Sequence, residues 1–323
     1  MGPSRFRCLA LVANCFILAA PAALAAQSIT LAVDATRTQQ KLLSAHEVIP
    51  VSPGPLTLYY PKWIPGEHGP DGPISSLTGL KFEADGKTIP WKRDLLDVFT
   101  FHLDIPAGVN HLDARYDFIE PEGGSATDKL MVLEWNEVIL YPAGAPAQQL
   151  NYEASLRMPD GWKFGTPLPV QMQTSNQVSF KPISLDLLVD SPVIAGQYYR
   201  AIDLTPPGEP IHHEIDMVAD SEAALAMSPE IQKAMTNLVA ESGKLFGTRT
   251  TATTIFSLPS AITWPTSAWN IMNRMTAVCQ SEPCLDPVPA WRWAGCWHTN
   301  LCTRGTESFD ARPTSLWPIT RSR

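Results

Sequence analysis

The feature that most constrains the fold is a succession of short stretches in which apolar and polar residues alternate, from residue 27 to about residue 217. Stretches such as "SITLAVD" (28–34) have the two-residue period of a half-buried strand. Turn signals such as Asp85-Gly86 separate them. Many short strands with regular turns predict a mainly β chain that forms an antiparallel β-sandwich. We expect the stretch "KLMVLEWNEVIL" (129–140) to be one of its longer strands.

The composition supports a folded domain and excludes one class of partner. Hydrophobic residues make up 45% of the 323 residues and charged residues 17%, which is enough apolar material for a real core. The net charge is -8 and the pI is about 5.4, whereas a nucleic-acid-binding protein would show a basic patch. We therefore expect no nucleic-acid partner.

The N-terminal residues have the pattern of a secretory signal peptide. Arg5 and Arg7 precede an apolar run over 8–20, and small residues surround a cleavage position near Ala26. A transmembrane anchor is the alternative, but the run is too short to span a bilayer comfortably. We expect residues 1–26 to be removed, and the mature protein to be periplasmic or secreted with no membrane span.

The pattern changes near residue 220. The stretch 228–247 has helical periodicity, with Ser228 as N-cap and Pro229 at the first helical position. Its apolar stripe consists of Ile231, Met235, Leu238 and Val239. A helix after a long β segment predicts a second domain, of which residues 220–249 would be the start.

Residues 250–323 form a tail with neither alternation nor an amphipathic helix, and we expect it to be disordered. The tail contains all four cysteines of the expected mature chain: Cys279, Cys284, Cys296 and Cys302. Two disulfides or a zinc site are possible arrangements, but structural zinc sites usually use tighter spacings.

The most distinctive stretch is "LTLYYPKWIPGEHGPDGP" (56–73), a strand that runs into a loop rich in proline and glycine. Trp63, Glu67 and His68 make this loop a candidate for ligand or domain contact. The alternative is a structural corner with Trp63 packed in the core, and composition favours that alternative because buried aromatic residues usually serve packing.

Five residues of this stretch carry a resemblance to a known family. They match the pattern L-x-x-P-x-W-x-P-G of the N-terminal domain of the glycyl aminopeptidase family of zinc metallopeptidases: Leu58, Pro61, Trp63, Pro65 and Gly66. The chain resembles that family over residues 28–249. The resemblance implies a β-rich N-terminal domain at 27–219, then a thermolysin-like zinc domain with His-Glu-x-x-His and often a PDZ domain. It also implies peptide substrates.

The chain departs from the family at the zinc site, because it contains no His-Glu-x-x-His. His46-Glu47 lacks the second histidine. His212-His213-Glu214 lies in a predicted strand, where neighbouring side chains point to opposite faces, so we interpret it as an exposed polar strand. We therefore assign no catalytic residue, no metal ligand and no cofactor to this chain, and expect zinc only in intact members.

A displaced reading frame explains the tail. With permitted third bases, residues 260–273 can be read as Ser-Asp-His-Val-Ala-His-Phe-Gly-Leu-Glu-His-His-Glu, and the run through "WHTNLCTRGTES" can be read with His-Glu-x-x-His. Both resemble the family's catalytic domain, in the family's order. The hypothesis is that the frame slips near codon 249 and that the chain is a truncated, inactive relative of a zinc aminopeptidase. The alternative is a non-enzymatic periplasmic β-sandwich that binds peptide or glycan.

Overall fold

The fold is mainly β, as the sequence predicts. A computed structural model describes residues 28–64, 69–121, 126–209 and 212–246, together with the backbone of 253–260. In chain order the first strands are β1 (Ile29–Arg37), β2 (Leu42–Pro50), β3 (Gly54–Tyr59), β4 (Leu77–Ala84), β5 (Lys87–Thr88), β6 (Trp91–Arg93), β7 (Thr100–Ile105), β8 (His111–Ile119), β9 (Leu130–Leu133) and β10 (Tyr141–Pro142). They are followed by β11 (Asn151–Arg157), β12 (Lys163–Gly165), β13 (Val170–Gln173), β14 (Gln177–Phe180), β15 (Ile183–Ser184), β16 (Val193–Gly196), β17 (Tyr198–Asp203), β18 (His212–Ala219) and β19 (Thr253–Ser260). The α-helices are α1 (Leu185–Val189) and α2 (Pro229–Phe246).

These strands form four sheets. A nine-stranded sheet has the order β13-β14-β11-β1-β2-β8-β4-β5, with β15 paired to β11. A four-stranded sheet has the order β10-β3-β7-β6, and two three-stranded sheets have the orders β12-β16-β9 and β17-β18-β19. The pairs are antiparallel except β1 with β11 and β18 with β19, which are parallel.

The main core lies between the nine-stranded and four-stranded sheets. The strands of the large sheet alternate in burial along their length, as in β1, where Ile29, Leu31 and Val33 are buried and the residues between them are exposed. This alternation buries one face of the sheet and leaves the other to solvent. The largest fully buried side chains include Trp135, Tyr60, Tyr152, Phe82, Phe101 and Phe118.

In the sheet β12-β16-β9, the strands β9 and β16 are buried on both faces, because they lie between two hydrophobic clusters. Met131 and Leu133 of β9 belong to the main core. Leu130 and Val132 of the same strand pack instead against Val218 of β18. The predicted long strand over 129–140 is therefore wrong in extent: β9 has four residues, and a 3-10 turn follows at Trp135–Glu137.

The last described part of the chain has a small core of its own. Helix α2 lies on the sheet β17-β18-β19, and its Met235 and Val239 pack against Ile215 and Met217. The predicted helix is confirmed, and Ser228 caps it by accepting a hydrogen bond from the Ile231 amide at 3.3 Å. The predicted domain division at residue 219 stays a prediction, but the small core also includes residues of β17 and β18 before that point.

Part of the expected tail is ordered. Residues 253–260 form β19, which pairs with β18 in parallel over eight residues, from His212 with Thr253 to Ala219 with Ser260. The expectation of disorder is wrong for this segment, because the helix α2 returns the chain to the free edge of β18. The rest of the tail, with its four cysteines, and the expected signal peptide at 1–26 lie outside the described residues. In the described part of the chain, no helix combines the length and apolarity needed to cross a bilayer.

Candidate functional site

Three connections meet at one end of the four-stranded sheet, which we call the loop end. It consists of the loop after β3 (61–64 and 69–73), the loop between β6 and β7 (94–98), and the segment before β10 (134–140). They lie side by side because Tyr59 pairs with both Thr100 and Tyr141, so the end of β3 faces the starts of β7 and β10. Loops at one end of a β-sandwich commonly contain the residues that bind ligands or partners, because the rigid sheets fix the positions of these loops.

The loop after β3 is closed tightly at its base. The Gly72 amide donates a hydrogen bond to the carbonyl oxygen of Lys62 at 3.1 Å. A side chain at position 72 would overlap the carbonyl oxygen of Pro61, so only glycine allows this approach. Lys62 also forms an ion pair with Asp97, at 3.2 Å between Nζ and Oδ2, which joins this loop to the loop 94–98.

Trp63 projects from the loop rather than packing in the core. Its side chain is 64% exposed, so the structural-corner interpretation is wrong for this residue. The core position of the corner is filled by Tyr60, which is fully buried three residues earlier. Trp63 is thus available for contact, whereas Glu67 and His68 lie outside the described residues.

The loop 94–98 presents two further apolar side chains. Leu95 and Leu96 are 99% and 98% exposed. Asp94 stabilises the turn of this loop, because its Oδ1 accepts hydrogen bonds from the amides of Leu96 and Asp97. The hydrogen bond from His102, together with these amides, lowers the pKa of Asp94 to about 2, so the carboxylate is ionised near neutral pH.

Carboxyl groups gather behind the segment before β10. Glu120, at the end of β8, is buried, and Glu137 lies in the 3-10 turn. Desolvation raises the pKa of Glu137 well above its usual range, and the charges of Glu120 and Glu134 raise it further. The hydroxyl of Tyr60 donates to the carbonyl oxygen of Glu137 at 3.0 Å, which places the cluster beside the loop of Trp63.

This segment is clamped to the large sheet. The buried carboxyl of Glu47 accepts a hydrogen bond from the Leu140 amide at 3.1 Å, and the hydroxyl of Tyr152 donates to the Leu140 carbonyl at 3.0 Å. The hydroxyl of Tyr116 donates to the Val138 carbonyl at 2.9 Å. Burial raises the pKa of Glu47 well above its usual range. Three side chains of the large sheet thus fix where the turn with Glu134 and Glu137 can lie.

Two polar atoms of the turn remain without partners among the described residues. They are Nδ2 of Asn136, whose side chain is buried, and Oε2 of Glu137. Buried polar atoms without partners cost free energy, so such atoms usually bond to a water molecule or to another polar group of the protein.

The strand β18 carries the histidines that the sequence singled out. His212 is exposed and His213 is buried, so the expected alternation is confirmed, but the expected exposed polar strand is wrong for His213. His213 turns inward because it lies on the face of β18 that helix α2 covers. Asp216 is buried on the opposite face, where Tyr199 donates a hydrogen bond to it.

No zinc site emerges from these residues. Within the described ranges, no three His, Cys, Asp or Glu side chains are grouped as a metal ion requires. His46, the other histidine with a following glutamate, bonds instead to Asp113 at 2.6 Å. The described residues therefore do not fit the zinc expected for intact members of the family.

A depression lies on the solvent face of the nine-stranded sheet. It has a volume of about 560 Å³, and its lining includes Asp34, Ser44, His46, Arg115, Asp117 and Arg157. Several of these groups are already paired: Ser44 donates to Asp117 at 2.6 Å, and Arg157 lies 3.7 Å from Asp34. Paired surface charges of this kind need no ligand.

The family is decided by a match over half of the chain. The model of the Peptidase M61 N-terminal domain matches residues 30–197. The chain belongs to the peptidase M61 family. Its N-terminal domain is thus of the glycyl aminopeptidase type that the Trp63 stretch indicated. The matched region ends at the boundary between β16 and β17, where the small core begins. No curated protein matches the chain.

Solved structures extend the comparison of the M61 chain at the level of fold. An aminopeptidase N family protein from Idiomarina loihiensis has a TM-score of 0.63 and 17% identity, with 78% of this chain and 42% of that chain covered. An M1 zinc metallopeptidase from Deinococcus radiodurans has a TM-score of 0.46 and 10% identity, with 80% and 61% covered. A mutant of it bound to a Tyr-Ser-Ala substrate has a TM-score of 0.42 and 12% identity, with 72% and 56% covered. The M61 chain therefore spans less than two thirds of these proteins.

Sequence reasoning found Trp63 but missed the rest of the loop end. Glu120 and Glu137 are far apart in sequence, so nothing in the spacing shows that they meet. The "DLLD" stretch at 94–97 did carry a signal, because two adjacent leucines break the alternation of the strands around them.

Proposed function

We infer that this chain provides the N-terminal domain of an exported zinc aminopeptidase of the M61 family, with peptides as substrates of the intact enzyme. The match of the M61 N-terminal domain over residues 30–197 supports this most strongly. The stretch around Trp63 and the order of the β-rich domain before helix α2 support it as well. Zinc belongs to the part of the enzyme that follows, and no step of hydrolysis is assigned to the described residues.

As written, the chain has no zinc-dependent peptidase activity. The 323 residues contain no His-Glu-x-x-His, which provides two zinc ligands and the general base in enzymes of this kind. The test is to purify the chain, measure its zinc content and follow the hydrolysis of glycyl peptides with and without a chelator. We expect neither bound zinc nor chelator-sensitive cleavage. One zinc per chain together with cleavage that the chelator abolishes would refute this proposal.

Export is part of the proposal, and it has a separate test. Arg5, Arg7 and the apolar run over 8–20 support cleavage after residue 26. Expression in a Gram-negative host, followed by mass spectrometry of the periplasmic fraction, should give a chain that begins near residue 27. A chain that stays in the cytoplasm with residues 1–26 attached would exclude export.

A binding module is the second candidate, and the exposure of Trp63 favours it. An aromatic side chain that is 64% exposed on a loop with a rigid base is suited to hold a peptide or a glycan without any metal. Chelator-insensitive binding of such ligands, lost on Trp63→Ala, would favour this candidate. The hydrolysis assay separates it from the first, because a binding module leaves every peptide intact.

A further inference from the structure

The most exposed large apolar side chains of the described residues are two neighbouring leucines. Leu95 and Leu96, in the loop 94–98, are 99% and 98% exposed. Trp63, which is 64% exposed, lies on the neighbouring loop, and an ion pair ties the two loops together. Single exposed apolar residues are normal on a soluble protein, whereas a group of them marks an interaction surface. We call residues 94–98 the leucine loop.

The leucine loop is a rigid protrusion. Asp94 accepts hydrogen bonds from two amides of the loop, and the Asp94 amide donates to the Thr100 carbonyl at 2.9 Å. The loop is therefore ordered before any partner arrives, which lowers the entropy lost on binding. Side chains that are almost fully exposed have free space on every side, so a protein partner would need a separate pocket for each leucine. The acyl chains of a lipid layer rearrange around inserted apolar side chains and need no pocket.

The residues before the leucine loop add positive charge, although the whole chain has a net charge of -8. Lys92 and Arg93 end the strand β6, and both side chains are exposed. Among the described residues, neither has an acidic partner. The guanidinium group of Arg93 lies instead over the ring of Phe101, 5.2 Å from its centre. Basic residues beside exposed apolar side chains are typical of proteins that bind to anionic lipid surfaces.

The acidic residues of the leucine loop are compensated within the protein. Asp97 lies 3.2 Å from the ammonium group of Lys62, and Oδ2 of Asp94 lies 2.9 Å from Nε2 of His102. In the neighbouring turn, burial raises the pKa of Glu137 well above its usual range, which reduces the negative charge there. The two cations at the end of β6 are therefore the charges that a partner meets. Their sign matches the phosphate groups of an anionic lipid and opposes a basic partner.

We propose that the leucine loop inserts into the surface of a membrane that contains anionic phospholipids. Leu95 and Leu96 enter the boundary between headgroups and acyl chains, and Trp63 lies at the level of the headgroups. Lys92 and Arg93 contact phosphate groups. The protein then lies on the membrane and does not cross it. This inference goes beyond the proposed function, because binding to a lipid surface requires neither zinc nor hydrolysis.

Vesicle flotation tests the insertion. The chain recovered from the periplasmic fraction of the expression host is mixed with vesicles of phosphatidylcholine and phosphatidylglycerol in a ratio of about two to one. We expect the double variant Leu95→Ser/Leu96→Ser to bind at least about tenfold more weakly than the wild type, because it inserts less apolar surface. The matched control is Met172→Ser/Leu245→Ser, which changes side chains that are 63% and 65% exposed on β13 and α2, and it should bind like the wild type.

The comparison separates insertion from folding and from other parts of the chain. The rest of the chain is common to all variants, so only the difference between them counts. The two leucines have almost no contacts, so Leu95→Ser/Leu96→Ser should keep the melting temperature of the wild type, and its loss of binding is then not a loss of fold. A leucine variant that binds the vesicles as strongly as the wild type would overturn the proposal.

The basic residues have a test of their own. Lys92→Gln/Arg93→Gln should weaken binding to the anionic vesicles and leave binding to vesicles of pure phosphatidylcholine unchanged. Lys81→Gln/Lys87→Gln is the matched control for net charge, since it removes two positive charges from exposed lysines of β4 and β5. If both pairs of substitutions weaken binding equally, the net charge of the chain accounts for the effect, and the proposed contact of β6 with phosphate is wrong.

Two further outcomes contradict the proposal. Wild-type binding that is as strong to pure phosphatidylcholine as to the anionic vesicles would show that the lipid charge is not recognised. Dimers that form without lipid and that Leu95→Ser/Leu96→Ser abolishes would assign the leucine loop to a second copy of the chain. Analytical ultracentrifugation of both proteins in the absence of vesicles detects such dimers.

Discussion

At the scale of single residues, two glycines in the loop after β3 differ in what a methyl group would meet. At Gly72 the added carbon would overlap the carbonyl oxygen of Pro61, which is backbone and cannot move away alone. At Gly69 it would meet the carboxyl group of Asp71, the end of an exposed and flexible side chain. We therefore expect Gly72→Ala to lower the free energy of unfolding by about 1–3 kcal/mol, as other overpacked sites do.

Gly69→Ala is the control for that prediction, because it adds the same methyl group to the same loop. It should change the free energy of unfolding by less than about 0.5 kcal/mol. Urea denaturation of both variants provides the measurement. If the two variants are equally stable, the tight base of the loop is not a source of stability.

Glu47 makes a pH-dependent contribution whose sign follows from its burial. Its pKa in the folded chain is raised well above 4.5, the ordinary value, because burial penalises the charged carboxylate. The stability that the neutral carboxyl gives is therefore complete below about pH 4.5 and is lost as pH rises through the raised pKa. Glu47→Gln keeps an acceptor for the Leu140 amide and has no proton to lose, so its stability relative to the wild type should increase from pH 5 to pH 8.

Urea denaturation at several pH values measures this difference. Glu83→Gln serves as the control, because Glu83 has a side chain that is 42% exposed and faces solvent. Its stability relative to the wild type should change little over the same range. A Glu47→Gln variant that loses stability relative to the wild type as pH rises would show that Glu47 is ionised in the folded chain.

At the scale of elements, the sequence predicts the strands and helices in which buried residues recur with the period of the strand or helix itself. The strand β1 alternates because one face lies on the core, and helix α2 shows its stripe because one side lies on β17 and β18. The strand β9 cannot be predicted in this way, because both of its faces are buried and its residues show no alternation of apolar and polar side chains. Trp135 then reads as a continuation of the strand, although it lies in a 3-10 turn.

The strand β19 shows the same limit in another form. Its eight residues pair with β18, a partner more than thirty positions earlier, and no local pattern reveals such a parallel return across a helix. The strand also bears on the displaced-frame hypothesis. If residues up to Ser260 belong to the fold, the loss of frame lies after codon 260 rather than near codon 249.

Truncation tests this point. A chain that ends at Ser260 should melt at the same temperature as the full chain, because it keeps every described contact. A chain that ends at Phe246 leaves the edge of β18 that faces away from β17 unpaired over eight residues, so we expect a loss of about 2 kcal/mol or more in the small core. Thermal and urea denaturation of both truncations provide the measurement. Equal stability of the two truncated chains would mean that β19 adds nothing to the stability of the fold. The loss of frame could then lie near codon 249 as well as after codon 260.

At the scale of the whole molecule, the sequence gives the class of fold and the family but not the way the two cores meet. The predicted division at residue 219 follows the change of period from strand to helix. That division stays a prediction. In the structure α2 packs with β17 and β18 in one hydrophobic cluster, because the apolar face of a helix must be buried. The sequence did not reveal the loop end for a similar reason, since its three connections come together through the pairing of Tyr59 with Thr100 and Tyr141.

The two cores are joined by a third, small cluster, in which Val218 is fully buried against Leu130, Val132 and Ile194. Val218→Ala should therefore weaken the small core selectively, by about 1–3 kcal/mol for the methyl groups removed. Hydrogen–deuterium exchange should become faster over 198–246 and stay unchanged in β1 and β2. Val33→Ala, in the main core, is the matched control. Unlike Val218→Ala, it should speed exchange in β1 and β2. If Val218→Ala instead speeds exchange everywhere, the two cores unfold as one unit, and the end of the M61 match at residue 197 is not a boundary of stability.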